Sequence, residues 1–156
     1  MEKRRKNNKE VYIDNSNNKI KYKKRSIFPK STERVEKHTA QAINNKIHFN
    51  SIARIEKYKN ASKEERLVRI NELEYEWDTE RVLEANASII ILIGIALGTF
   101  ANRWWFLLPT AVAGFFLQHA LQGWCPPLPI IRRLGIRTPS EIHKEIYALK
   151  DLNKNS

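Results

Sequence analysis

The hydrophobic positions of the chain concentrate in one long stretch, which is flanked by segments that mix apolar and charged residues. No charged residue occurs in residues 85–102, and a second charge-free stretch covers residues 104–131, with Arg103 between them. A helix of the first stretch's 18 residues is about 27 Å long, close to the ~30 Å hydrocarbon core of a bilayer. The pattern predicts an antiparallel transmembrane hairpin over residues 84–125, with its second helix ending near Gln122.

Aromatic and proline residues mark the ends of the two predicted spans. Trp104 and Trp105 lie in the turn and Trp124 lies at the far end, where tryptophan anchors helices at membrane interfaces. Pro109 falls in the first turns of the second helix, where a missing amide costs little. A buried hairpin of a soluble domain is the alternative, but the rest of the chain is too polar to cover two helices that are apolar all round.

The flanking segments predict amphipathic helices outside the bilayer. Apolar residues recur at roughly helical spacing after Ser31 and Thr32, and a capping box of Ser62 and Glu65 starts a second helix whose apolar stripe continues to Trp77. After the hairpin, residues 138–141 (Thr-Pro-Ser-Glu) start a short helix that ends near residue 152. The predicted fold class is an all-α membrane protein, divided into residues 1–31 (disordered tail), 32–83 (amphipathic helices), 84–125 (hairpin) and 126–156 (C-terminal segment).

The distribution of positive charge predicts how the two spans are oriented in the membrane. The chain carries 28 basic and 17 acidic residues, a net charge of +11. Basic residues precede the first span and follow the second, while Arg103 is the single one in the turn, so both termini are expected to be cytoplasmic. The Lys- and Asn-rich tail is expected to bind anionic headgroups, and the alternative is that it only enforces the topology. Nucleic acid is not the expected partner, because interleaved aromatic residues and a nucleic-acid-binding fold are missing.

Small residues form a flat surface on each predicted span. Gly94 and Gly98 are four positions apart on the first, and Thr110 and Gly114 are four apart on the second. Such surfaces let helix backbones approach closely in lipid, where apolar burial gives little drive to associate. Two uses stay open: packing within the hairpin, and self-association into a homodimer or with an unknown membrane protein.

Polar groups gather near one end of the predicted hairpin and form a candidate polar or thiol site. The alternative is that interfacial water and headgroups satisfy them. Cys125, the chain's one cysteine, excludes an intramolecular disulfide, and a reactive role would require a depressed thiol pKa supplied by His119 or nearby arginines. The candidate residues are Glu84, Asn86, Gln118, His119, Gln122 and Cys125.

Other chemistry has no support in the sequence. The four histidines are scattered without metal-ligand spacing, and there is no glycine-rich phosphate loop and no nucleophile elbow. No metal, no cofactor and no enzymatic activity are therefore predicted.

The stretch from Asn86 to Cys125 resembles the YgaP-like inner-membrane hairpin domain of bacteria. The likeness rests on a short span, a Trp-rich turn, a second span containing Gly114, and the closing sequence of residues 123–126, Gly-Trp-Cys-Pro. It covers about a third of the chain. Members of this family are largely of unknown function, and some carry a rhodanese sulfurtransferase domain. The segment before the hairpin here is polar and cysteine-free, so this chain looks like a stand-alone member without that domain.

The resemblance implies a multi-pass protein of the bacterial inner membrane that can dimerise, with Cys125 at the family's Cys-Pro position. A structural or interaction role as an anchor, adaptor or small subunit is the expected function. The alternative is a sulfur- or redox-related membrane component that uses Cys125.

Overall fold

A small antiparallel sheet precedes the helical part of the chain. The computed structural model describes residues 28–154 and, before them, the backbone of strands β1 (Arg5–Lys6), β2 (Lys9–Asp14) and β3 (Lys19–Lys24), which pair in the order β1-β2-β3. These strands differ from the predicted disordered tail. The residues fit strands because β2 contains three consecutive β-branched and aromatic residues, Val11 to Ile13, and in β3 Ile20 and Tyr22 alternate with lysines; Val11 pairs with Tyr22. The other tail residues before Phe28 lie outside the described residues.

Residues 28–154 contain helices and connecting turns without strands, as the sequence predicts for this part of the chain. The helices are α1 (Arg34–Lys37), α2 (Gln41–Lys59), α3 (Lys63–Glu74), α4 (Thr79–Phe100), a 3₁₀ helix (Arg103–Phe106), α5 (Leu107–Gln122), α6 (Leu128–Arg133) and α7 (Pro139–Lys154).

Both predicted capping boxes are confirmed. The Ser62 hydroxyl accepts a hydrogen bond from the Glu65 amide (3.2 Å), and the Ser62 amide donates to the Glu65 carboxylate (2.8 Å). Thr138 and Glu141 make the same reciprocal pair at the start of α7, at 3.2 and 2.7 Å. These bonds satisfy amides that the first helical turn leaves without intrahelical partners.

Two predicted helix boundaries are wrong. The first amphipathic helix is interrupted between α1 and α2, where the Thr39 hydroxyl donates to the carbonyl of Val35 (2.9 Å). The second ends at Glu74 and does not reach Trp77, because Asp78 caps α4 by accepting from the Arg81 amide (2.9 Å). The first apolar helix consequently begins at Thr79, before the charge-free stretch.

Helices α4 and α5 pack against each other and run antiparallel, and we call them the apolar helix pair. Gly94 of α4 lies beside Pro109 near the start of α5, and Gly98 lies beside Phe106 of the 3₁₀ helix. At the opposite end, Glu80 of α4 hydrogen-bonds His119 near the end of α5. The order of these contacts along the two helices fixes their antiparallel arrangement.

Helices α2, α3 and α7 form a second unit, the polar helix cluster, in which α7 packs on both α2 and α3. Its apolar core consists of Ile70, Leu73, Ile142, Ile146 and Leu149. A separate apolar core lies where α1 and α6 meet the end of the apolar helix pair that contains Glu80 and His119, which we call its polar end. It consists of Val35, Leu83, Cys125, Leu128 and Ile131.

Candidate functional site

The apolar helix pair exposes its large apolar side chains. Two helical stretches, Lys63–Phe100 and Arg103–Gln122, contain windows long and apolar enough to cross a membrane. Only 17% and 11% of those windows are buried inside the protein. Leu92 and Leu117, for example, are 68% and 61% exposed. A core helix of a soluble domain would bury such residues, so α4 and α5 form a large exposed apolar surface.

The four small residues of the pair divide into two groups. Gly94 and Gly98 are buried, and a Cβ atom at Gly94 would lie 2.5 Å from Cδ of Pro109, too close for any real contact. Gly114 has no neighbour within 4 Å of such an atom, and Thr110 beside it is exposed. The first two glycines therefore serve contact within the pair, while Thr110 and Gly114 leave a flat surface open.

A charged and hydrogen-bonded group closes the polar end of the pair. Nε2 of His119 lies 3.2 Å from one carboxylate oxygen of Glu80, and the Arg34 guanidinium donates to the other oxygen at 2.9 Å. Arg34 also donates to the carbonyl of Ala120 (2.6 Å), one of the last carbonyls of α5. Arg34 thus ties α1 to both helices of the pair.

Gly123 ends α5 in a way that no other residue could. Its φ of +85° is in the left-handed region, and its amide donates to the carbonyl of His119 (2.7 Å). A Cβ atom there would lie 2.6 Å from the backbone of Arg34. A glycine is needed both for the turn and for the close approach of α1.

Cys125 follows this turn and lies beside His119. The thiol is 3% exposed, and the imidazole of His119, 1% exposed, interacts with it electrostatically. Nδ1 of His119 is buried without a hydrogen-bond partner among the described residues. The imidazole of His119 thus lies between the Cys125 thiol and the Glu80 carboxylate. The thiol itself is enclosed by apolar side chains.

Of the six predicted polar-site residues, the structure brings His119 and Cys125 together. Glu84, Asn86 and Gln122 are exposed, and Gln118 is half-buried. The Asn86 amide turns back to the carbonyl of its own helix at Val82 (2.7 Å). Sequence analysis missed Glu80 and Arg34, and no local signal could have found Arg34, which lies 46 positions from Glu80.

The tryptophans lie at both ends of the apolar helix pair. Trp104 and Trp105 are exposed in the 3₁₀ helix, and Trp124 is half-buried just after α5. Asn102 caps the 3₁₀ helix by accepting from the Trp104 amide (3.0 Å). The indoles are thus available at the two levels where membrane interfaces would lie.

Sequence analysis also missed a buried network of arginine and glutamate. Arg132, fully buried, donates two 2.7 Å bonds to the Glu141 carboxylate. Arg137 pairs with Glu76 and Glu145. Burial raises the pKa of the Glu141 and Glu145 carboxyls, but hydrogen bonds from arginine outweigh it, and the net pKa of each lies below its ordinary value of 4.5. Both carboxylates are therefore ionised at neutral pH.

Within the described residues, no group of three or more His, Cys, Asp or Glu side chains could hold a metal ion. No family model, curated protein or solved structure matches the chain.

Proposed function

We propose that the chain is a two-span membrane protein whose apolar helix pair is an antiparallel transmembrane hairpin. The exposed apolar surface of α4 and α5 carries this proposal. Lipid would cover that surface, and the buried backbone of each helix satisfies its own hydrogen bonds, as a hydrocarbon environment requires. The polar helix cluster would then lie in water at one membrane face.

Positive charge supports a cytoplasmic location for both termini. Basic residues lie on the side of the polar helix cluster, and Arg103 stands alone at the opposite end of the pair. By the positive-inside rule, the end with Arg103 faces outward. The closing sequence around the left-handed Gly123 supports a stand-alone relative of the YgaP-like hairpin domain, in the bacterial inner membrane.

An interaction role follows from what the chain offers: a membrane hairpin, a compact helical cluster and a flat surface at Thr110 and Gly114. We assign it as an anchor, adaptor or small subunit. Membranes from bacteria expressing the chain should retain it through an alkaline carbonate wash and release it in detergent. Recovery of the chain in the carbonate extract would overturn the proposal.

The thiol supports a second candidate, a sulfur- or redox-related function at Cys125. The observation behind it is the buried imidazole of His119, which interacts with the thiol and hydrogen-bonds the Glu80 carboxylate through Nε2. The rate of maleimide addition to Cys125 in native membranes tests it. A rate above that of an unstructured thiol peptide, lowered in a His119→Gln variant, would support this function, and a slower rate would exclude it.

A further inference from the structure

A basic cavity of about 510 Å³ opens between α2, α3 and the segment after α6. One carboxylate, that of Glu76, lies in its lining. Apolar atoms come from Ile43, Ile47 and Leu134. The cations of the lining are Lys46, Arg54, Arg69, Arg132, Arg133 and Arg137.

The charge of this cavity is not balanced by carboxylates within residues 28–154. Its six cations face four carboxylates, those of Glu72, Glu76, Glu141 and Glu145, which leaves two positive charges. The surplus lies on identifiable residues: Lys46 and Arg133 are exposed and pair with no carboxylate in the described part of the chain.

Hydrogen-bond donors are also left over at the cavity wall. Arg54 donates through Nε to Glu145 (3.1 Å) and through Nη2 to Ser51 (3.1 Å), while its Nη1 makes no bond within residues 28–154. The bonds to Glu145 and Ser51 hold the guanidinium in place. The free Nη1 of Arg54, the ammonium of Lys46 and the guanidinium of Arg133 line one cavity. Together they can donate hydrogen bonds to the oxygen atoms of a phosphate.

The position of the cavity selects the kind of phosphate. Arg137 lines it, and the carbonyl of Arg137 accepts from the amide of Thr79, the first residue of α4 (2.8 Å). The charge-free stretch begins at residue 85, about 9 Å further along the helix. A headgroup layer is roughly 5–8 Å deep on each side of the hydrocarbon core. The cavity therefore lies at the outer boundary of the headgroup layer if the pair spans a bilayer, where lipid headgroups can reach it.

An apolar rim points to a lipid as well. Leu134 lines the cavity and is 74% exposed, and Ile130, one helical turn earlier on α6, is also exposed. These side chains offer a surface for acyl chains next to the cations. A free phosphate would make no use of it.

We propose that this cavity binds the headgroup of an anionic phospholipid, with Lys46, Arg54 and Arg133 contacting phosphate oxygens. The inference rests on the proposed membrane location of α4 and α5. The buried arginines Arg132 and Arg137 are neutralised by glutamates, so the net positive charge of the site comes from Lys46 and Arg133. A diphosphate lipid such as cardiolipin matches the surplus of two charges, and a zwitterionic lipid does not.

The test uses the purified full chain in nanodiscs or micelles with defined lipids, and measures retained lipid by native mass spectrometry. The test variant is Lys46→Gln with Arg133→Gln; both side chains are exposed and make no ion pair with residues 28–154, so the fold should persist. The matched control, Lys57→Gln with Lys63→Gln, removes the same charge outside the cavity lining. We expect the wild type to prefer cardiolipin over phosphatidylethanolamine, and the test variant to lose roughly tenfold in cardiolipin affinity.

Equal loss in the test and control variants would overturn the site, since it would show only a general effect of charge. Binding of inorganic phosphate to the micellar protein, with displacement of cardiolipin at millimolar concentration, would overturn the lipid assignment in favour of a soluble phosphate. The carbonate wash separates this from a failure of the membrane proposal. A chain that stays in the washed membrane but shows no lipid preference contradicts the cavity assignment alone.

Discussion

The apolar helix pair and the polar helix cluster place their side chains in opposite ways. The pair buries two glycines, Pro109 and His119, with Thr79 and Leu83 near the start of α4, and exposes most of its leucine and isoleucine. The cluster buries leucine and isoleucine together with Arg66 and Glu145, and the adjoining turn and α6 bury Arg137 and Arg132. The polar helix cluster thus makes its charged contacts inside the protein, whereas the apolar helix pair presents its apolar side chains on the outside.

The two regions therefore need different surroundings. The cluster resembles a small water-soluble bundle, in which buried charges must be paired. The pair has no comparable core of its own; its helices approach closely at Gly94, which lies against Pro109 of α5, and Gly98 lies against the ring of Phe106 in the 3₁₀ helix. Close approach of small residues is the packing mode of helices in lipid.

The largest expected effect is the loss of a buried charge partner. Arg132→Met leaves the Glu141 carboxylate without its arginine in a site of low exposure, and the free energy of unfolding should fall by about 3–5 kcal/mol. The control is Arg133→Gln, the neighbouring exposed arginine, which should stay within about 0.5 kcal/mol of the wild type. Thermal or denaturant unfolding in detergent measures both. Similar losses in the two variants would contradict the buried network.

The next effect concerns the helix pair. Gly94→Ala introduces a methyl group against Pro109, and the pair should lose about 1–3 kcal/mol of stability because backbone or ring must move. Gly114→Ala adds the same atom in open space and should be neutral or slightly stabilising. Tryptophan fluorescence follows the unfolding of the pair. If the two alanine variants unfold alike, α4 and α5 do not pack as described.

Stability should depend on pH through the polar cluster. Because the folded pKa values of Glu141 and Glu145 lie below 4.5, the native state binds fewer protons than the unfolded state at acidic pH. The free energy of unfolding should be constant above about pH 5–6 for these groups. It should fall as the pH drops through 4.5 toward their folded values. Unfolding of Glu141→Gln across pH 3–7 should show a shallower slope, and an unchanged slope would refute the assignment.

The smallest expected effect on the fold comes from the open surface at Thr110 and Gly114. Gly114→Ile meets no neighbour within the chain, so its stability should match the wild type while any homodimer dissociates. Crosslinking or native mass spectrometry in mild detergent reads the oligomeric state. Gly94→Ala is the counterpart, which should weaken the fold but leave association through Thr110 in place. Unchanged dimers in Gly114→Ile would remove this surface from the interaction role.

Local signals allowed the starts of α3 and α7 to be predicted. The capping boxes at Ser62 and Thr138 involve residues three positions apart, so the sequence alone contains both partners. Pro139 likewise marks the first residue of α7. The break at Thr39 could not be predicted, because the Thr39 hydroxyl also meets Arg132, 93 positions away.

The candidate site was predictable only in part for the same reason. His119 and Cys125 are close in sequence and lie at one helix end, whereas their partners Glu80 and Arg34 come from other helices. Arg132 was interpreted as a sign of membrane orientation because a basic residue after a span is usually solvated. Its burial depends on Asn44 and Thr39, and no residue near it in sequence reveals those contacts.

The most direct test of the account is the location of the two ends of the helix pair relative to the membrane. In a Cys125→Ser background, single cysteines at Asn102 and at Lys154 are labelled with a membrane-impermeant maleimide. The account predicts that Asn102→Cys reacts in cells with an intact inner membrane, and that Lys154→Cys reacts only after that membrane is opened. An Asn102→Cys variant that stays unlabelled until the membrane is opened would contradict a hairpin that spans the bilayer.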